Sequence, residues 1–452
     1  MRCPFASSCG EVKRLESRIA ELEKENEGLK HQLAIYKSVE TPRPQRRFSS
    51  RRRLEHTEVR YPGRPKGYPG TTRPYPKPDR MVEARELETC PLCEGKLGRP
   101  FRVKRRTVEE LGNPQPVEVI EYEEFYYHCP TCDSEIIARH QDCPPEGRMG
   151  KNVCIQTTLM KFDERLPERK IKSVLERQGL SITPATVLDI QRRMSEWLKP
   201  EYEEVISNVR GSDVVYTDQT GIGVDGTNHW IWGLVTNSGT LIAIRGTKGK
   251  KVLEELLGED WSGTIVCDGS RSHHSFAKDH PRVSIQRCWA HLLTEADELA
   301  EKTREARPLA KGLHRIYDRL KKALEEEPPP DERKRLARNA RRALKRWIEK
   351  PYRRKKVQKF TAKIRNGFDC WFTFVVKPGV EPTNNRAELA LREIVVQRKI
   401  IGTLRNLKGT SIYETMMTLL TTWKQKGLNL HEALSMSLSR AWARASIKRV
   451  RS

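Results

Sequence analysis

Long apolar runs are missing from this chain of 452 residues. No stretch reaches the roughly eighteen consecutive apolar residues of a bilayer-crossing helix, so a membrane span is not expected. The opening "MRCPFASSCGEVKRLESR" also lacks a signal peptide's apolar stretch, and the protein is expected to work in the cytoplasm. A phosphate-binding loop is missing too. The nearest approach, "GTKGKK" at Gly246 to Lys251, has neither the spacing nor the final Ser or Thr, which argues against nucleotide-driven work. No Gly-x-Ser-x-Gly elbow is present. Acids are in short supply, 60 against 85 Lys and Arg, leaving a formal charge of +25. That bias says little about fold but favours nucleic acid or another polyanion as partner over a merely soluble basic surface. Eleven cysteines, an odd number in a large chain, suit free thiols and metal ligands better than a disulfide framework.

What is present divides into modules, and the length allows two to four domains. Residues 10–38 read as a coiled-coil helix: Val12, Ile19, Asn26 and Leu33 share one heptad position, and Leu15, Leu22, Leu29 and Tyr36 the other. A polar Asn among apolar sites fixes register and favours a parallel dimer, so self-association is expected; the alternative is a helix packed on its own body. Residues 39–82 lose this periodicity. Between 41 and 80, twelve basic residues face three acids amid eight prolines, too little to build a core. Within it "PGRPKG" is like an AT-hook core, where Arg64 and Lys66 would enter a narrow minor groove; a plain basic linker gripping phosphates is the other reading.

Residues 83–145 carry two C-x-x-C knuckles, Cys90 with Cys93 and Cys129 with Cys132. Four thiolates close a tetrahedral structural Zn2+ site, and the strand-like "EVIEYEEFYYHC" fills the long gap between the knuckles. Residues 150–205 resemble a helix-turn-helix. Gly179 breaks a first helix, and Thr183 caps a second with Pro184 in its first turn. Ala185, Leu188 and Met194 are expected to face inward, leaving Gln191, Arg192 and Arg193 for DNA; an ordinary helical hairpin is the alternative.

From residue 211 strands and helices alternate. "SDVVYTD" reads as a strand ending at Asp218, followed by "HWIWGLVT" and "TLIAIR", a helix, and a fourth strand, "GTIVCDG", ending at Asp268. This element order is that of a ribonuclease H-like fold, in which the first and fourth strands are neighbours. Asp218 and Asp268 would then meet, and a divalent metal would make a carboxylate on an apolar strand tolerable. In-line attack on phosphate usually employs two ions, so a third acid is expected. In "EPTNNRAELALREIVVQRKI" Asn385 is a candidate helix cap, and Glu388 shares a face with Leu391 and Val395. Either Glu388 is a capping-box residue or it points inward to metal; the inward face favours metal. The charged stretch 291–378, broken at Pro328 to Pro330, reads as a helical insertion between core segments 211–290 and 379–425, with a basic C-terminal helix over 426–452.

These motifs together resemble the insertion sequence 66 family of transposases, within the Asp-Asp-Glu transposase and integrase superfamily. The specific segments are "TDQTGIGVDGTNHWIWG", "VCDGSRSHH", "CWAHLLTEADEL" and "TNNRAELALREIVVQRKIIGTLRNLKGTSIYETMMTLLTTWKQKGLN". Gln219 departs from the Glu that more often follows the first aspartate in relatives. The resemblance implies Asp218, Asp268 and Glu388 as a catalytic triad holding Mg2+ or Mn2+. It also implies element ends and target DNA as substrates, and cleavage and joining as the activity. Accessory proteins, and a homo-oligomer on nucleoid DNA, belong to the same expectation. A DNA-binding regulator without catalysis and a nuclease without joining are the rival functions. Cys288 and His291 match a C-x-x-H signature of insertion-bearing transposases, expected to pack or to position DNA, since two ligands do not close a zinc site. Arg392, Arg398, Lys399 and Arg405 are expected phosphate contacts, or else a solvated basic face.

Overall fold

The computed structural model describes residues 117–122, 124–129, 134–138, 140–445 and 447–448, with Arg18, Ile19 and Leu22 as isolated helical positions. The coiled coil otherwise, the basic linker with Arg64 and Lys66, and the knuckle cysteines Cys90, Cys93 and Cys132 lie outside the described residues. Cys129 ends the first described strand.

In chain order, β1 (Phe125–Cys129) and β2 (Ser134–Ala138) lead into α1 (Lys151–Phe162), α2 (Glu168–Arg177), α3 (Pro184–Trp197) and α4 (Lys199–Arg210). Then come β3 (Val214–Val224), β4 (Thr227–Val235), β5 (Thr240–Arg245), α5 (Lys250–Leu257), β6 (Thr264–Cys267), α6 (Arg271–Asp279) and β7 (Ser284–Arg287). A helical stretch follows: α7 (Trp289–Lys302), α8 (Arg307–Glu325), α9 (Pro330–Ile348), α10 (Lys355–Arg365) and the single turn α11 (Thr373–Val376). The chain continues through α12 (Asn385–Ile401), β8 (Thr403–Leu404), α13 (Leu407–Gln425), α14 (Leu430–Ala445) and β9 (Ile447–Lys448). The expected C-terminal helix therefore ends in a strand, which pairs antiparallel with β2. No described helix is long and apolar enough to cross a membrane.

The central sheet runs β5-β4-β3-β6-β7, with β8 beside the far end of β3. The pairs β3–β4 and β4–β5 are antiparallel, while β3–β6 and β6–β7 are parallel. The protein is thus a mixed α/β structure, compatible with a ribonuclease H-like core. Both faces are covered, and adjacent residues on a strand go to opposite sides. On β6, Ile265 and Cys267 join one apolar core with α1, α4, α13 and α14, whereas Val266 joins a second with the helices of the insertion. The break at Pro328 to Pro330 is present, and Pro330 opens α9, where its missing N–H costs nothing.

Two expectations about elements need correction. β3 does not stop at Asp218 but continues to Val224, so Asp218 lies mid-strand, opposite Gly233. A two-residue turn at Asp225 and Gly226, both with positive φ, closes a hairpin with β4. In α3, Thr183 caps as expected, accepting from the Thr186 N–H at 3.2 Å. The inward face, however, is Val187, Ile190, Gln191 and Met194, while Ala185 and Leu188 are exposed. Met194 faces inward as expected, but Leu188 and Gln191 exchange places.

The edge strand β5 shows how the sheet is closed. Residues Glu414, Thr418 and Thr422, four apart along α13, form one row facing the strand. Glu414 accepts from Ile244 N–H at 2.7 Å, Thr418 Oγ1 from Ile242 N–H at 3.0 Å, and Thr422 Oγ1 from Thr240 N–H at 3.0 Å. The threonines also donate to the Ile242 and Thr240 carbonyls. An edge that would otherwise template aggregation is thereby satisfied. Thr418→Val keeps the shape but leaves buried Ile242 N–H without its acceptor. It should destabilise the protein by about 1–3 kcal/mol, read as a lower midpoint in thermal or urea unfolding.

Candidate active site

The neighbouring of β3 and β6 brings the first two acids together. The parallel register Val214 with Thr264, Val215 with Ile265 and Tyr216 with Val266 carries both chains in one direction. Asp218 lies two residues beyond the last paired position on β3, and Asp268 two beyond it on β6. The third acid arrives on α12. Gly233, opposite Asp218, leaves room for that helix: a Cβ there would stand 3.0 Å from the Leu391 side chain. Leu391 is three residues after Glu388, so the contact that seats the helix on the sheet also sets the height of the carboxylate.

Hydrogen bonds fasten α12 to β3 at both ends. Asn384 Nδ2 donates to Thr217 O at 2.9 Å, and Arg398 donates to Thr220 Oγ1 at 2.8 Å and to Gly221 O. The cap of α12 is Asn384 rather than Asn385, and its side chain serves the strand instead of the helix end. Arg398, expected on phosphate, is spent on the same strand. Arg392 and Lys399 are exposed, as is Arg405. The buried stripe of α12 runs Ala387, Leu391, Ile394 and Gln397, leaving Glu388 half-buried at its border and Val395 only partly covered.

The carboxylates feel one another. Burial pushes the Asp218 carboxyl above its ordinary value, opposed by the Gln219 N–H that donates to Oδ1 at 2.7 Å and reinforced by the charge of Asp268. Burial likewise raises Glu388; His291 opposes this, and Asp218 and Asp268 add to it. Glu388 Oε1 is shielded from solvent and accepts no hydrogen bond. His291 Nδ1 lies 3.5 Å from it, an ion pair without a hydrogen bond. A hydrogen bond with Cys288, helped by the Glu388 and Asp268 charges, pushes His291 up to about 9 despite its partial burial. Lys248, lying over the Trp230 ring at 3.6 Å, is a further cation felt by Asp218.

A raised carboxyl surrounded by other carboxyls is the donor set expected of a site for a hard divalent cation, which prefers oxygen ligands and offsets their repulsion. Glu388 Oε1, which accepts no hydrogen bond, fits such a cation. The three acids predicted from sequence therefore share one neighbourhood. His291, predicted only to pack or position DNA, stands beside them, and Cys288 is buried at the start of its helix. The i, i+3 spacing of Cys288 and His291 could have signalled a shared face. Nothing in the sequence singled out Gly233 or the role of Asn384. His273, beside Asp268 in sequence, is buried, hydrogen-bonded with Ser270 Oγ at 2.9 Å, and held down at about 4 by that burial.

The residues expected to read DNA from α3 lie elsewhere. Gln191 is 3% exposed, so it belongs to the core and not to a recognition surface. Arg192 pairs with Asp189 at 2.9 Å and Glu196 at 2.7 Å, and Arg193 with Asp189 at 2.8 Å. One further link joins this helical region to the acids: Arg165 makes a two-pronged contact with Glu393 of α12, at 2.5 and 2.8 Å.

Raised carboxyl pKa values have a stability consequence. Between the ordinary and the raised pKa, the folded chain binds protons at Asp218 and Glu388 more tightly than the unfolded chain does. Their contribution is fully present below the ordinary carboxylate pKa and is lost as pH rises through the raised values. In magnesium-free buffer, Asp218→Asn and Glu388→Gln should match wild type in acid and exceed its melting temperature at neutral pH. Thermal melts across a pH series check this; neutral-pH destabilisation by both variants would contradict it.

Residues 146–412, more than half of the chain, match the family described as Transposase IS66 family. No curated protein matches the chain. The matched span starts ahead of α1 and ends within α13, taking in the sheet, the helical stretch and all three acids, and the chain accordingly belongs to the IS66 family of transposases.

Proposed function

We propose that this transposase cuts the ends of an insertion sequence and joins them to target DNA by phosphoryl transfer at Asp218, Asp268 and Glu388. The supporting observation is electrostatic: carboxylates on β3, just after β6 and on α12 repel one another, and one buried oxygen, Glu388 Oε1, accepts no hydrogen bond. Magnesium or manganese bound by these side chains would stabilise charge on the phosphoryl oxygens and favour a deprotonated nucleophile.

The chain's own groups have separate tasks. Gly233, Asn384 and Arg398 hold Glu388 over the strand that carries Asp218. The Gln219 N–H orients the Asp218 carboxylate. Lys248, braced on Trp230, and exposed Arg392, near Glu388, are cations suited to the DNA phosphates around the reacting bond. Lys399, Arg405, Arg192 and Arg193 are offered as outlying phosphate contacts, and Arg64 and Lys66 as minor-groove contacts. Gln191 and Arg398 leave that set because their side chains are engaged within the fold. A structural zinc at Cys90, Cys93, Cys129 and Cys132, and self-association through residues 10–38, complete the reading.

The test is a cleavage and joining assay on the element's own terminal DNA with magnesium or manganese. DNA binding by each variant is checked first. Asp218→Asn, Asp268→Asn and Glu388→Gln should each bind DNA and lose cutting by about a hundredfold or more, the scale of several kcal/mol of charge stabilisation. Full cutting by Glu388→Gln would remove it from the site. Cutting without joined product would make the protein a nuclease, and binding without cutting a regulator. Gly233→Val should also slow cutting, by forcing Leu391 and its helix off the sheet.

A further inference from the structure

Cys288 is the residue before α7, and His291 lies in that helix's first turn. Glu388 lies in the first turn of α12. The two helix starts are tied together: Trp289 N–H donates to Pro382 O at 2.9 Å, and Asn384 N–H donates to Cys288 Sγ at 3.2 Å. As a result the Cys288 sulfur, a His291 ring nitrogen and a Glu388 oxygen all lie within 4.8 Å of one another. Among the described residues this is the group of histidine, cysteine and acidic side chains that meets such a separation.

We infer that Cys288, His291 and Glu388 form a second metal site, suited to a zinc-class ion, that shares Glu388 with the carboxylate centre and withdraws it when filled. The donor chemistry separates the two centres. Sulfur, imidazole nitrogen and one carboxylate oxygen suit zinc, whereas magnesium takes oxygen donors and binds thiolate poorly. The starts of two helices converge on the site and carry its three donors. Three protein ligands leave a fourth position open. Charge balances: a thiolate and a carboxylate neutralise a dication, and the protons of the Cys288 thiol and of any His291 imidazolium pass to solvent.

The consequence follows from the shared ligand. Glu388 Oε1 has no hydrogen bond to hold it in either direction, so a soft ion on the Cys288 side competes with hard ions on the Asp218 side for one carboxylate. Zinc should thus oppose magnesium. That consequence rests on the catalytic reading of Glu388; the binding itself does not.

The experiment measures zinc retained per full-length chain after dialysis with excess magnesium, by elemental analysis, and thiolate-to-cobalt charge-transfer absorption after exchange with cobalt. Any zinc on Cys90, Cys93, Cys129 and Cys132 is common to all samples, so the difference between variants is what counts. Cys288→Ser, His291→Gln and Glu388→Gln should each retain one zinc ion fewer than wild type, and Cys288→Ser should lose part of the cobalt–thiolate absorption. Asp268→Asn, which lies outside the donor set, should keep the wild-type count. His291 is 52% exposed, so His291→Gln tests the site without threatening the fold. Equal zinc in wild type, Cys288→Ser and His291→Gln overturns the inference and leaves a core thiol beside an ion pair. Loss in Asp268→Asn but not in Cys288→Ser assigns the ion to the carboxylate centre and also overturns it. Intact magnesium-dependent cutting alongside either result would sink this site alone, whereas the expected zinc counts with no cutting by the zinc-stripped wild type in magnesium would sink the catalytic reading alone.

Discussion

A helix carrying one acid has to be held against a strand carrying another, although their charges push them apart. That opposition governs the site. Coulomb repulsion between partly desolvated carboxylates grows as the water around them is removed, and burial alone already raises both Asp218 and Glu388. The fold counters it with contacts that do not depend on the acids. Leu391 sits on Gly233, Asn384 bonds Thr217 O, and Arg398 bonds Thr220 and Gly221. The acids are therefore held in proximity by apolar packing and neutral or cationic hydrogen bonds, which leaves their oxygens available to a cation.

The same economy extends outward from the sheet. With one apolar core on each face, the central strands are buried twice over, and their backbone groups must be paired along the whole length. β4, β3 and β6 are paired on both sides by strands, and on the β5 edge α13 substitutes for a missing strand through Glu414, Thr418 and Thr422. Glu414 is itself buried, and Arg245 at 2.8 Å is the cation that keeps it tolerable. The insertion helices build the second core largely from their own residues, Leu313, Ile316 and Leu320 with Ala337 and Leu344 among them. A long interruption of the chain can thus be accommodated without disturbing the register of β3 and β6.

The helical region before the sheet is coupled to the acids through α12. Arg165 engages Glu393, Gln397 donates to Phe162 O and accepts from Tyr413, and Lys424 pairs with Asp163. These links converge on the segment between α1 and α2, where Arg165 adopts a positive φ that non-glycine residues reach only when neighbours impose it. The helix bearing Glu388 is consequently fixed from two directions, by β3 below and by this segment alongside.

Much of this was legible in the sequence because it depends on local pattern. Strand and helix order, the break at Pro328 to Pro330 and the Thr183 cap all come from residue type and spacing. Other features depend on what a residue meets across the fold. Asp218 lies within β3 because the turn at Asp225 and Gly226 lets the strand run on through its glycines. Gln191 is buried and Leu188 exposed because the packing of α3 selects one of two similar faces. Asn384 serves a strand instead of its helix, and Cys288 and His291 meet Glu388, a residue nearly a hundred positions away. Local pattern determined the elements and the kinds of chemistry available. Which side chains share that chemistry was decided by tertiary packing, since charge and coordination act through distances that spacing along a chain does not set.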